Sequence, residues 1–556
     1  MDSLSGLAIR LYPEDPTCLV CGSKTNLLKT DAKTCYSFDL GKFKLISGSN
    51  YCVDHKYFGK PGQIIRYESN LAAMLVDKGY RVTFDLVVKV GRLRYDEHRQ
   101  LREIQAYLKC SSAKLDLPLS TISLICIRFL EFCQKLHASR EDEIRRDIKQ
   151  HGGYVLHFDG STEQKSGRCN LILFDSRCEH VLESSMIDSE SCETITVALK
   201  RVLKKYGHPL AVVSDLRPGF VSSCVDAFGS KVRHILCHYH FLRTFRDAFN
   251  DDHQFMKTTM TQKWQLQAGL TKQIKALPGS KASTAHPREL KTIESIEKHW
   301  ETTGDTLATY RHTLCWILNY KQDSSGKGVP FDLPFLDLFY RLTKGKDLID
   351  KVFAKASREI RMKYYFHGFC RVLEKTNHLG ANEKGFRKAV RHLEFARKWF
   401  DKLRAVLFLE GQLEADRPLA PLSKQYRLTE KEAKRIPLRL SGLLASLKRE
   451  LKQCKHQERK AYLENLKKQI VKYRGNLHVP LIATTIDDEE VYFVPPRTNN
   501  CLESIFRSMK ALIRRCTGRS KLPREFAAVG DLLPYYLLMK DHAAFKEVFN
   551  DDQRLS

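Results

Sequence analysis

No apolar stretch in this sequence approaches the roughly 20 residues that a membrane-spanning helix requires. The longest candidate, Leu119 to Cys133, is interrupted by Arg128 and Glu131. Acidic residues are also scarce: Asp and Glu number 65 against 93 Lys and Arg, a formal net charge of +28. Such a surplus points to a polyanionic partner, because phosphate neutralisation dominates nucleic-acid affinity. The bland alternative is a solvated basic surface. Met1-Asp2-Ser3-Leu4-Ser5-Gly6 has neither the basic nor the apolar region of a signal peptide. The 17 cysteines are odd in number and scattered through apolar segments. That argues against a disulfide framework and for free thiols in a reducing compartment, with a metal site among them. There is no internal repeat, and the only Gly/Ser-rich stretch is Gln322 to Gly328, read as a loop.

What is present divides the chain into about four kinds of segment. Residues 1–62 are turn-rich. Cys18-x2-Cys21 and Cys52-x2-His55 are two close pairs across a spacer long enough for a hairpin, the layout of one structural Zn2+ site, with Cys35 as a substitute ligand. Gly22 suits the tight turn. Residues 63–148 read as helical and basic. One helix starts at Tyr95, and Ser120 caps a second that carries Ile122, Ile125, Phe129 and Phe132 on one side, a helix-turn-helix-like outline for binding DNA. In 149–250 the periodicity changes. Strands at Tyr154–Phe158, Asn170–Phe174 and His180–Ile187 are followed by helix, strand, helix and strand, which predicts a mixed sheet flanked by helices. Residues 251–488 read as an all-α insertion with long amphipathic helices such as Phe386–Leu413 and Leu440–Tyr473. Residues 489–556 return to compact character.

Three acidic residues carry the chemistry. Asp159 and Asp215 end the apolar runs Tyr154–Phe158 and Ala211–Ser214, and Glu503 opens a helix rich in Arg and Lys. Each has a plain reading: a turn at Asp159-Gly160, a helix cap at Asp215, an Arg507 partner for Glu503. Together they are what a two-metal phosphoryl-transfer site needs. Two Mg2+ or Mn2+ ions about 4 Å apart activate the attacking oxygen and stabilise the leaving one, and carboxylates are the hard ligands such ions prefer.

With these residues in place, the sequence resembles the DDE transposases with a ribonuclease H-like catalytic fold, the group of Mutator-like and hAT-like elements and related bacterial insertion-sequence enzymes. The resemblance covers about residues 150–250 and 490–540. It rests on Asp159-Gly160, on Val212-Val213-Ser214-Asp215, on Cys237-x2-His240 as the C/D-x2-H signature, and on Thr498-Asn499-Asn500-x2-Glu503 with Lys510 at the Glu-x6-Lys position. It implies a multidomain α+β protein whose catalytic domain is split by the helical insertion. It also implies binding of terminal inverted repeats and target DNA, metal-dependent strand cleavage and strand transfer, and a homodimer or larger assembly. The setting would be the nucleoid or cytoplasm of a prokaryote, or a eukaryotic nucleus. Asn499 departs from the arginine of some bacterial relatives. Cys237 and His240 are given a structural or DNA-positioning role, and His238 a surface position. Arg507, Lys510, Arg514 and Arg515 lie at or near the Glu503 stripe and suit a DNA backbone. Trp264, Trp300, Trp316 and Trp399 read as core residues of the insertion. The alternatives are a domesticated, non-catalytic DNA-binding descendant and a nuclease of the same fold.

Overall fold

A computed structural model describes residues 7–54, 66–162, 168–278, 290–322, 324–380, 384–409 and 428–549. It is a multidomain α+β architecture. Near the N-terminus, β1 (Ala8–Leu11) pairs parallel with β3 (Gly41–Tyr51). That strand forms a hairpin with β2 (Asn26–Ser37) and also pairs with the short β4 (Tyr67–Glu68). The Cys21-to-Cys52 spacer therefore does hold a hairpin. Cys35, Phe43, Leu45 and Val76 form its small apolar core.

The next helices differ from the sequence expectation in their boundaries. One runs Phe84–Tyr95 and ends where a helix was expected to begin. The following one is Leu101–Cys110, because Glu103 reaches back to accept the Gln100 N–H at 2.7 Å and stops the helix from extending upstream. Helix Leu119–Ser139 starts after Pro118, with Ser120 already inside its first turn rather than at the cap. One face of this helix is buried and the other, with Leu124, is exposed. Ile122, Ile125 and Phe129 are buried in one core with Leu512, Ile513, Tyr536 and Phe545 near the C-terminus and with Ile172, Phe174 and Val181 of the central sheet. A Cβ on Gly91 would overlap the Phe129 ring, so glycine there lets the two helices close up. Burying Phe129 completely is worth about 2–3 kcal/mol. The helix-turn-helix-like pair is thus a packed layer, and the division at 148/149 is crossed by a continuous core.

The central sheet has five strands: β5 (Val155–Thr162), β6 (Cys169–Asp175), β7 (His180–Ile187), β8 (Ala211–Ser214) and β9 (His234–Leu236). Their order is β7-β6-β5-β8-β9. The first three are antiparallel neighbours; β8 joins β5, and β9 joins β8, in parallel. Period-two alternation sorts the side chains. Tyr154, Leu156 and Phe158 face helices Cys192–Tyr206 and Pro218–Phe228. Val155, Ala211, Val213 and Ile235 face the other way, into the large core of the helical insertion.

That insertion is helical until a closing hairpin of β10 (Ile482–Ile486) and β11 (Glu489–Phe493). The expected helix Leu440–Tyr473 is two helices, Glu430–Gln453 and Gln457–Tyr473. The one expected over Phe386–Leu413 runs Lys384–Val406. Trp264, Trp316 and Trp399 are buried, and Trp300 packs against the same core. The chain then returns to the sheet as helix Asn500–Thr517.

Candidate active site

Sheet register brings the two aspartates together. β5 and β8 pair Leu156 with Val212 and His157 with Val213. Two residues further along each strand stand Asp159 and Asp215, at matching positions on adjacent parallel strands. β8 and β9 pair Ser214 with Leu236, so Cys237 is next in the row, and its N–H donates to the Ser214 carbonyl at 2.8 Å. Both aspartates are only 6% exposed.

Glu503 is delivered by a helix whose start is fastened to this row. Asn499 is fully buried. Its Nδ2 donates to the Phe158 carbonyl and its Oδ1 accepts from His157 Nδ1, both at 3.0 Å. Its backbone N–H points at Cys237 Sγ, 3.4 Å away. The His238 N–H donates to the Arg497 carbonyl at 3.0 Å. These bonds seat the first turn of helix Asn500–Thr517 over the carboxyl ends of the strands.

The side chains meet at His240. Its Nδ1 is 2.6 Å from Asp215 Oδ1, and its Nε2 is 3.6 Å from Glu503 Oε1. Burial and the neighbouring Asp215 push the Asp159 carboxyl up to about 7, against the pull of His240, Arg217 and the Gly160 N–H. Burial works against a charged His240, but Cys237 and Asp215 outweigh it and raise the imidazole to about 11. Two desolvated carboxylates side by side need a neighbouring cation. Here His240 supplies it, and the hard oxygen donors fit a divalent ion equally well. Among the described residues, Asp215, Cys237 and His240 offer ligand atoms within 4.8 Å of one another, and Glu503 adjoins them through His240.

Asp159-Gly160 is not a turn: both residues lie within β5, paired with Ile172 and Leu171 of β6, and glycine is required at 160 by the close approach of its neighbours. A Cβ there would overlap the Glu190 carboxylate and come within 2.6 Å of Cys169 Sγ. Glu190 forms an ion pair with Arg217, whose charge acts on Asp159. Arg217 and Glu190 carry no signal in the sequence, and Asn499, part of the motif around Glu503, proves to be the residue that fastens that helix to the sheet.

Arg507, Lys510 and Arg514 follow Glu503 at helical intervals and share its stripe. Arg507 and Arg514 are exposed, and Lys510 Nζ lies 5.8 Å from the centre of the Phe526 ring. Arg515 leaves the stripe and lines a cavity of about 830 Å³ with Asp96, His98 and Tyr536. His238 is not a surface residue. It is fully buried, with Nε2 3.1 Å from the Leu477 carbonyl, and burial lowers it to about 3.

At the N-terminus, Cys18, Cys21 and Cys52 offer sulfurs within 4.8 Å of one another. The Tyr67 hydroxyl, 3.2 Å from Cys18 Sγ, and the Cys21 backbone N–H draw that thiol down to about 6. Three converging thiols with one already biased toward thiolate fit a zinc ion. His55 lies outside the described residues. Cys35 does not join the group: it is fully buried in its apolar cluster.

No known protein family and no curated protein matches the chain. Among solved structures, the Drosophila P element transposase strand transfer complex matches at 11% identity and a TM-score of 0.32, over 85% of this chain and 96% of that one. A superposition this loose leaves the reading of the site to its own geometry.

Proposed function

We propose that this chain is a metal-dependent DNA strand transferase of the transposase type. The observation that carries the reading is the convergence of Asp215 and Glu503, from opposite sides of the insertion, on one imidazole beside Asp159. The sheet order, with three antiparallel strands followed by two parallel ones, supports a ribonuclease H-like catalytic domain. Its carboxyl-end row of acids is where such a sheet offers a site. The +28 net charge supports DNA as the partner.

In this reading Asp159, Asp215 and Glu503 hold two Mg2+ or Mn2+ ions. The ions would supply Lewis-acid stabilisation of the attacking and leaving oxygens of a phosphodiester. The chain's own residues do the rest. Asn499 fixes the Glu503 helix, Gly160 and the Glu190–Arg217 pair shape the floor under Asp159, and His240 balances the carboxylate charge before metal and DNA arrive. Arg507 and Arg514 face the DNA backbone. The N-terminal cysteines hold one Zn2+ with His55 in a module that binds terminal inverted repeats, and two or more copies of the chain hold paired ends.

The test is cleavage and strand transfer by purified protein on terminal-repeat DNA with Mg2+. Asp159→Ala, Asp215→Ala and Glu503→Ala are expected to abolish both while DNA binding persists. Full activity in Asp215→Ala would overturn the assignment. Cleavage without preference for terminal repeats would mark a nuclease, and binding with no cleavage by the wild type a domesticated regulator.

A further inference from the structure

The described part of the Gly/Ser-rich loop within the insertion packs on Tyr239, the residue before His240. Asp332 organises it. Its carboxylate accepts from the Ser325 N–H at 2.8 Å, the Ser325 hydroxyl at 2.9 Å and the Gly328 N–H at 2.9 Å. Gly326 and Gly328, on either side of Lys327, take φ of +73° and +71°, a backbone that other residues resist. Phe331 lies flat on Tyr239, with ring centres 4.5 Å apart and 4° between planes, and so clamps the loop to the helix that carries His240.

This clamp sets Lys327 Nζ 4.4 Å from the centre of the Tyr239 ring. The Arg243 guanidinium lies 5.3 Å from the same ring. Arg404, ion-paired with Asp401 at 3.2 Å, adds a third positive charge that Lys327 senses, and Glu503 is the strongest attraction on its amine. Cations from the insertion and from the His240 helix are thus gathered on the Glu503 side of the site. Burial lowers Lys327 to about 8, which leaves it mostly protonated at neutral pH. Like charges held this close, at the edge of a centre that would be neutralised by metal, make a seat for an anion.

We propose that Lys327, carried by the insertion loop and held over Tyr239, binds a backbone phosphate of the DNA strand lying across the carboxylates, with Arg243 beside it. The proposal rests on the reading of the site as a DNA phosphoryl-transfer centre. It makes the insertion a contributor to substrate positioning.

The experiment measures binding of a fluorescein-labelled DNA duplex to the full-length protein, with Ca2+ in place of Mg2+, over a series of KCl concentrations. One lost phosphate contact lowers the slope of log K against log salt by about 0.9. Lys327→Ala is expected to lose about that much slope and to weaken binding several-fold, while Lys327→Arg restores both. With Mg2+, Lys327→Ala should raise KM more than it lowers kcat. An unaltered slope and affinity in Lys327→Ala, in protein whose thermal melting matches wild type, overturns the proposal. Failure of the underlying reading would show elsewhere, as full cleavage by Asp215→Ala, so the two can fail separately.

Discussion

His240 and Asp215 lie 2.6 Å apart, ring nitrogen to carboxylate oxygen, with Asp215 buried and His240 partly exposed. The same imidazole reaches Glu503 through its other nitrogen. The histidine thus bridges an acid of the sheet and the acid of the helix.

Removing the imidazole should leave Asp159 and Asp215 facing each other with only the Arg217 charge to offset them. His240→Ala is expected to cost about 3 kcal/mol, the usual loss when a buried ion pair is broken from one side. Mg2+ should recover more stability in the variant than in wild type. Calorimetry with and without Mg2+ checks this, and equal melting temperatures for the two metal-free proteins would refute it.

Asn499 fastens the Glu503 helix to β5 through two side-chain hydrogen bonds. Asn499→Ala should cost roughly 2–3 kcal/mol, since it leaves the buried Phe158 carbonyl and His157 without their partner. Activity should fall much further than DNA affinity, because Glu503 loses its position while the basic surface stays. Cleavage kinetics and anisotropy on one preparation decide it.

Gly160→Ala forces a methyl group into Glu190 and Cys169. Overpacking of this kind costs about 1–3 kcal/mol. The displaced Glu190–Arg217 pair should also lower activity, although all three acids remain. A variant with wild-type melting temperature and cleavage rate would show that the floor yields freely.

His137, His157, His234 and His238 are held neutral: burial lowers the first three to about 4 and the last to about 3, from an ordinary 6.5. The unfolded chain binds these protons first, so the stability these four histidines contribute is complete above about pH 6.5 and falls as pH drops from there toward 4. Each histidine accounts for roughly 2 kcal/mol of loss at pH 5. Melting temperature should decline steeply between pH 7 and pH 5, and His137→Leu should flatten the profile. A flat wild-type profile would contradict the burial.

For the zinc module, Cys18→Ser with Cys52→Ser should release about one zinc per chain, and Cys35→Ser none. Metal analysis of the two variants separates a ligand set from a buried thiol.

Much of the central sheet was legible because its signals are local. The apolar run before Asp215 is a strand that ends there, and Cys237 follows the next strand at the same level, whereas β5 runs on past Asp159 to Thr162 because β6 continues to pair with it. The helix reading around Glu503 needed only its own periodicity. What the sequence hid depends on contacts between distant segments. His238 looks like a surface histidine until Arg497 and Leu477, far downstream, close over it. Helix Leu119–Ser139 shows one apolar side in sequence, but the C-terminal helices that cover it cannot be foreseen from that segment. Lys327 sits in a stretch marked only as a loop, and its approach to Glu503 follows from the stacking of Phe331 on Tyr239.

Arg497 is fully buried two residues ahead of Asn499, and its guanidinium donates to the carbonyls of Leu407 and Phe408, just past helix Lys384–Val406. The third carboxylate therefore takes its footing from the far wall of the insertion as well as from the sheet. A load that shifts that helix end is carried through a short, stiff lever to Glu503, while Asp159 and Asp215 stay where the strands hold them. The site has one movable jaw and one fixed jaw.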